Sequence, residues 1–329
     1  MAHWTRRIAS AVLLGSMLAV WSLASSALAE PPAPEAPVGQ ASLQNGQALA
    51  LGYAPDSLRQ SPPGEAAASG MTPVIRSWVD ALAGEPGFES WAAASWTVYP
   101  LGPGTHSWVV LLQANAQEVG YLVLTADGDG YRLQEYGQGE YPLFSMNTLQ
   151  RSLAQRGLIS ESNPSVTISR IYAAPLQGVW RIDGAADEPL YLDAKTGEEL
   201  PPLDNWIQEQ QSGTDGPSTA YNISAAEQPG SLKHTLIKMP FDPFLKPVWL
   251  KGSPQPELDF SAWKAGSISS EETPVTYLGK WYGGKALYPL AATGFHEWSH
   301  GGPFLRLEHE GARYVPYDAA VKLGSFFTN

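Results

Sequence analysis

The stretch VGYLVLTADGDGYRLQEYG (Val119–Gly137) has to double back on itself. Two runs of strand-forming residues flank two successive Asp-Gly pairs at 127–130. Asp-Gly supplies the positive backbone angles of a tight hairpin turn. A chain with this hairpin at its centre needs a further sheet or a helix to cover the apolar side it creates.

The neighbouring sequence offers both. TPVIRSWVDALAG places Val74, Trp78, Val79 and Leu82 at helical spacing, with Pro73 suited to a first turn. SWTVYPL and SWVVLLQA then read as strands before the hairpin. A second helix, NTLQRSLAQRGL, follows, with Asn147 as N-cap and Gly157 near its end. Strands come again in SVTISRIYAA, GVWRIDG and PLYLDAKTGEEL. The order helix-then-strands thus occurs twice, which predicts two helix-on-antiparallel-sheet units in tandem over 71–203. Trp78 and Leu153 are expected on the sheet-facing sides of their helices.

PLYLDAKTGEEL (Pro189–Leu200) resembles the terminal hairpin of PepSY-type domains, small secreted α+β modules of bacteria. The Val119–Gly137 hairpin is similar to the last hairpin of the propeptide and inhibitor modules of streptopain-like cysteine proteases. The resemblance covers residues 71–203 at most and is carried by hairpin chemistry. It implies a non-catalytic module that binds or restrains a peptidase. The catalytic partner of such modules is not in this chain, which has no Cys to serve as nucleophile.

The ends of the chain set its surroundings. Arg6 and Arg7, an apolar run from Ile8 to Leu23, and Ala27-Leu28-Ala29 have the layout of a secretory signal peptide cleaved after Ala29. Retention of that run as an anchor is the alternative, but it is short for a spanning helix. Loss of Arg6 and Arg7 takes the net charge from −12 to −14. Such a charge disfavours nucleic acid and anionic lipid as partners, and no stable membrane insertion is expected after cleavage. Residues 30–70, rich in Pro, Ala, Gly and Ser, read as a disordered spacer, and 204–232 as a polar linker.

The remaining segment, 233–329, reads as a small β-rich domain, an open barrel or a rolled sheet. It begins with KMPFDPFLKPVWLKGSPQPELDF, whose five prolines favour an extended or edge segment. Gly283-Gly284 and Glu310-Gly311 mark turns between strands, and a short helix, YDAAVKLG, closes the chain.

GFHEWSHGGPF (Gly294–Phe304) contains the only familiar catalytic spelling. His296-Glu297-Trp298-Ser299-His300 matches HExxH, in which helix geometry turns both imidazoles toward one zinc and the Glu polarises the metal-bound water. That chemistry needs a helix of several turns. Six residues between Gly294 and Gly301, followed by Gly302 and Pro303, cannot make one. In a strand the two His Cα atoms stand about 13 Å apart at ~3.3 Å per residue, too far to share a metal. The expectation is an extended Gly294–Trp298, with His296 and Trp298 on one face, Glu297 on the other, and a turn at Gly301–Gly302.

Other sites are weaker. Asp127 and Asp129 lack the further oxygens of a calcium loop and read as turn residues. His106 lies in a Gly/Pro loop without an evident partner, and Asn222-Ile223-Ser224 is a sequon relevant only in a eukaryotic secretory host. Ten Trp follow the signal segment. Trp281, Tyr282 and Trp298 are the candidates for a ligand-binding aromatic face, against the alternative of core packing. The sequence therefore predicts an α+β protein, secreted to the cell exterior, without cofactor or catalysis, binding a protein or cell-wall polymer. The alternative is a zinc-dependent hydrolase using His296, Glu297 and His300.

Overall fold

The computed structural model describes residues 65–102, 106–127, 130–158, 166–212, 230–255, 257–264 and 274–328. The expected signal segment, nearly all of the 30–70 stretch, the sequon and most of the 204–232 stretch lie outside these residues.

The fold mixes helices with antiparallel sheets. The first helix, α1 (Glu65–Leu82), starts inside the stretch expected to be a spacer, and Pro73 lies in its interior and not in its first turn. The run Glu65-Ala66-Ala67-Ala68 explains the difference, since Ala and Glu are among the best helix formers. Met71, Ile75, Trp78, Val79 and Leu82 form its buried stripe. Four strands follow: β1 (Ser95–Leu101), β2 (Ser107–Ala114), β3 (Gln117–Asp127) and β4 (Gly130–Gln138). Asp127 pairs with Gly130 at the hairpin end, as the Asp-Gly signal predicts. The α1 stripe packs on Val110, Leu112, Leu122, Leu124, Leu133 and Tyr136 of this meander.

The second helix is α2 (Met146–Gln155). Its N-cap is Ser145 and not Asn147: the Ser145 hydroxyl accepts the Thr148 N–H at 3.3 Å. Asn147 sits within the first turn, two residues past the cap, and donates to Glu118 at 3.4 Å. Gly157, at φ +67°, takes the left-handed position just past the helix end and lets the Leu158 N–H reach the Leu153 carbonyl at 2.9 Å. Strands β5 (Thr167–Ala174), β6 (Gln177–Asp183), β7 (Leu190–Asp193) and β8 (Glu199–Leu200) make a second meander, and α3 (Asp204–Ser212) follows it. Leu149 and Leu153 of α2 are buried with Ile168, Trp180 and Ile182 of this sheet and with Val109, Leu111 and Val123 on the back of β2 and β3.

The last segment does not build a sheet of its own. Its strands are β9 (Leu232–Ile237), β10 (Val275–Trp281), β11 (Ala286–Trp298), β12 (Pro303–Glu308), β13 (Ala312–Pro316) and β14 (Gly324–Thr328). They join the first meander in one ten-stranded antiparallel sheet, ordered β1-β2-β3-β4-β13-β12-β11-β10-β14 with β9 on β11. The sheet does not close into a barrel. The seam is the β4–β13 ladder, Arg313 opposite Gly137 and Tyr314 opposite Tyr136. The expected boundary between 71–203 and 233–329 therefore falls in the sequence and not in the sheet. The second meander is a separate four-stranded sheet, and Ile171, Val179, Tyr191 and Leu200 on its other face are buried with Trp281, Tyr282, Leu305, Leu307 and Val315.

Strand β11 is thirteen residues long and forks its neighbours. Along one edge its first half pairs with β10 and its second half with β9, while β12 runs along the other edge. Gly294 occupies the fork at φ +153°, beside a register shift in the β12 ladder. A Cβ there would stand 1.8 Å from the Leu236 carbonyl oxygen of β9. Gly294→Ala is expected to lower unfolding free energy by more than about 2 kcal/mol in urea titrations. It should also speed exchange of the Lys238 amide, which donates to the Thr293 carbonyl at 2.8 Å.

Candidate functional site

The HExxH residues lie where the local reading places them. Gly294–Trp298 is extended, the last part of β11, and Gly301 and Gly302, at φ +93° and +75°, turn into β12. His296 and Trp298 share a face, with ring centroids 6.4 Å apart, and both are buried beneath α1. Glu297 points the other way and lies 3.7 Å from the His234 imidazole of β9. His300 is exposed in the turn, its Nδ1 3.1 Å from the Ser299 hydroxyl. The helix face that would bring two imidazoles and a Glu to one zinc is absent. No group of three or more potential metal ligands forms among the described residues.

The aromatic candidates turn inward. Trp281 stacks on Tyr288 at 4.2 Å between ring centroids, and Trp298 meets Trp78 edge-on at 5.1 Å. Tyr282 is fully buried and donates its hydroxyl to Asp193 at 2.9 Å. None of the three offers a ring face to solvent; Trp281 and Tyr282 fill the space between the two sheets, and Trp298 the space beneath α1. Asp127 pairs with Arg132, while Asp129 lies outside the described residues. His106 is exposed at φ +48° and its carbonyl accepts the Ala126 N–H at 2.8 Å.

A polar cluster that the sequence did not reveal fills the junction of the two sheets. The buried Glu135 carboxylate accepts from Arg313 at 2.8 and 3.2 Å, Tyr121 at 2.6 Å, Tyr172 at 3.1 Å and the Leu176 N–H at 2.8 Å. Arg313 also donates to His309 Nδ1 at 2.9 Å, which makes that nitrogen an acceptor and the imidazole neutral. Asp193 begins the hairpin of PLYLDAKTGEEL. It accepts the Lys195 and Thr196 N–H groups at 2.8 and 2.9 Å, an Asx turn, and Tyr282 on its other oxygen. Lys195 reaches the carbonyls of Tyr141 and, at 2.8 Å, Glu310. Burial, aided by the Arg313 charge, lowers its pKa to about 7. Every oxygen of Glu135 and Asp193 is occupied by a protein donor, so the cluster ties elements together.

The surface feature with room for a partner is the Pro-rich arm after β9. Asp242 caps the 3-10 turn Pro243–Leu245 by accepting the Phe244 N–H at 2.8 Å, and a second 3-10 turn spans Val248–Leu250. The arm leaves β11 at the Gly294 fork and overhangs the start of β10. A pocket of about 620 Å³ lies beneath it, walled by Ile237, Phe241, Val248, Val275 and Ala292. Lys238 and Lys246 also line it, and burial lowers the pKa of Lys238. Met239 and Leu245 line its rim, 81% exposed each; Phe244 and Leu250 project beyond it at 65% and 71% exposure. Together they form an exposed run of large apolar side chains, a feature uncommon on the surface of a monomeric soluble protein. Its signal was in the sequence: Met, Phe and Leu set between prolines cannot be buried by ladder pairing.

No protein-family model matches the chain, and no curated protein matches it.

Two outcomes follow from the buried groups. Burial lowers the His296 pKa to about 3, with Arg306 adding to the effect. His309 falls to about 3, burial and the Arg313 and Lys195 charges outweighing Asp193. Between about pH 3 and 6.5 the unfolded chain therefore binds more protons at these two sites than the folded one, and stability rises with pH across that window. Urea midpoints should fall steadily from pH 6.5 toward 3, and His309→Asn should flatten that slope. Glu135→Gln leaves the Arg313 charge buried without its counter-ion and should cost roughly 3–5 kcal/mol in the same titration at pH 7.

Proposed function

We propose that this chain is a secreted, non-catalytic binding or regulatory protein whose contact surface is the arm over 238–251. The observation that carries the reading is the cluster of Met239, Phe244, Leu245 and Leu250 exposed around an apolar pocket, while the buried Glu135, Arg313 and Asp193 are engaged with other protein groups. Export rests on the Arg6-Arg7 and Ile8–Leu23 pattern at the N-terminus. The partner is a cell-surface component or a peptidase held in check.

The two runs of a helix followed by four antiparallel strands, α1 with β1–β4 and α2 with β5–β8, support a PepSY-like tandem as the scaffold. In this reading the first unit has recruited the C-terminal strands to extend its sheet, and those strands carry the arm. Zinc hydrolysis through His296, Glu297 and His300 has no comparable support, because the strand places Glu297 and His296 on opposite faces.

Purified full-length protein should bind isolated envelopes of the producing cell. The Phe244→Ser/Leu245→Ser variant should lose most of that binding with unchanged circular dichroism and unfolding midpoint. Glu297→Gln should bind like the parent. Envelope binding that survives the arm substitutions would remove the arm from the reading, and a hydrolytic activity abolished by Glu297→Gln would replace it.

A further inference from the structure

The arm is built from two kinds of side chain that seldom occur together on a soluble surface. Four large apolar residues stand clear of the protein within a dozen positions, and the lysines Lys246 and Lys251 are exposed beside them. Within the arm, 238–251, there are three lysines against Asp242 alone. Asp242 is itself exposed and caps its own 3-10 turn, which leaves the lysines in excess. The chain as a whole is acidic, at −12. This basic, apolar projection is thus set on an acidic chain, and over distances beyond about 10 Å salt screens the rest of the chain from whatever the arm touches.

We propose that the arm docks the protein on an anionic phospholipid bilayer, with Met239, Phe244, Leu245 and Leu250 entering the acyl boundary and Lys246 and Lys251 meeting headgroup phosphates. This rests on the reading of the arm as the contact surface and names what it contacts. Interfacial binding scales with the apolar area buried plus the attraction of cations to anionic lipid, and this arm supplies both. A hydrophilic polymer would satisfy the lysines and leave the four apolar side chains in water. A stable protein partner needs about 20–30 residues on each side, more than the arm presents. No described helix is long and apolar enough to cross a membrane, which fits a surface mode. The pocket beneath the arm can take the end of an acyl chain against Ile237, Val248 and Val275. Net charge alone disfavours anionic lipid; the local charge of the arm reverses that expectation and orients the rest of the acidic chain away from the surface.

The absence of Cys makes the test direct. Leu250→Cys and, as control, the exposed Glu188→Cys are each labelled with an environment-sensitive fluorophore in the full chain. Vesicles of phosphatidylcholine with phosphatidylglycerol should shift the 250 probe to the blue and leave the 188 probe unchanged. Phosphatidylcholine alone should bind at least roughly tenfold more weakly, and Phe244→Ser/Leu245→Ser should lose a similar factor or more. Added salt should release the protein. Failure of the 250 probe to respond, equal responses at 250 and 188, or an arm-dependent dimer without lipid would each overturn the proposal. If envelopes bind through the arm while vesicles do not, the lipid assignment fails and the binding reading stands. If neither binds, both fail.

Discussion

The Glu135–Arg313 ion pair fixes the architecture. Glu135 lies on β4 and Arg313 on β13, at the two-pair ladder that joins the first meander to the C-terminal strands. Both side chains are fully buried, so neither can be solvated by water. A buried pair is tolerable only when its remaining hydrogen-bonding capacity is also met. Tyr121, Tyr172, the Leu176 N–H and His309 meet it, and they come from β3, β5, the β5–β6 turn and the β12–β13 turn. One carboxylate therefore sets the register of the ten-stranded sheet and the position of the four-stranded sheet behind it. Its net contribution to stability need not be large for this, because a slip at the seam leaves a charge unpaired in the interior.

Asp193 and Lys195 extend the same principle across the molecule. The Asx turn at Asp193 shapes the β7–β8 hairpin, and its second oxygen holds Tyr282 at the end of β10. With this end of β10 anchored and β11 fixed by β12, the place where β9 and β10 part is determined. That fork aims the arm. Apolar residues that would collapse onto a flexible loop are instead carried by a β-ladder, a Gly294 with no room for a Cβ, and two short 3-10 turns.

The elements with local signatures were legible in the sequence. Asp-Gly pairs gave the β3–β4 hairpin, Gly157 the end of α2, and the glycines around HEWSH gave a strand where the motif alone suggests a helix. The errors have equally local causes. Residues 65–70 carry a spacer-like composition, yet Glu and Ala there extend α1, and an interior Pro73 did not stop it. Ser145 outcompeted Asn147 as cap because its hydroxyl lies where the Thr148 N–H points. Trp281, Tyr282 and Trp298 resembled a binding face because periodicity says which residues share a side of a strand, not whether a second sheet or a helix covers that side. The β4–β13 seam and the Glu135 cluster join residues 178 positions apart, and no local pattern encodes such a contact.

The burial of chemistry in this molecule has a consequence for its surface. Its HExxH histidine is neutral beneath α1, its most perturbed lysine is held by two carbonyls, and its central carboxylates are surrounded by donors. Each bond lost among these groups leaves a buried partner unsatisfied. The outer surface is under no such constraint. Apolar side chains that are 65% to 81% exposed are a standing cost in water, and four of them persist on a segment whose backbone is held by one capped and one uncapped 3-10 turn and by the Lys238 N–H bond to the Thr293 carbonyl. A hydrogen-bonded interior and an exposed apolar arm go together: two short 3-10 turns bond the backbone of the arm, so that docking as proposed would lose less ordering entropy when its apolar side chains leave water.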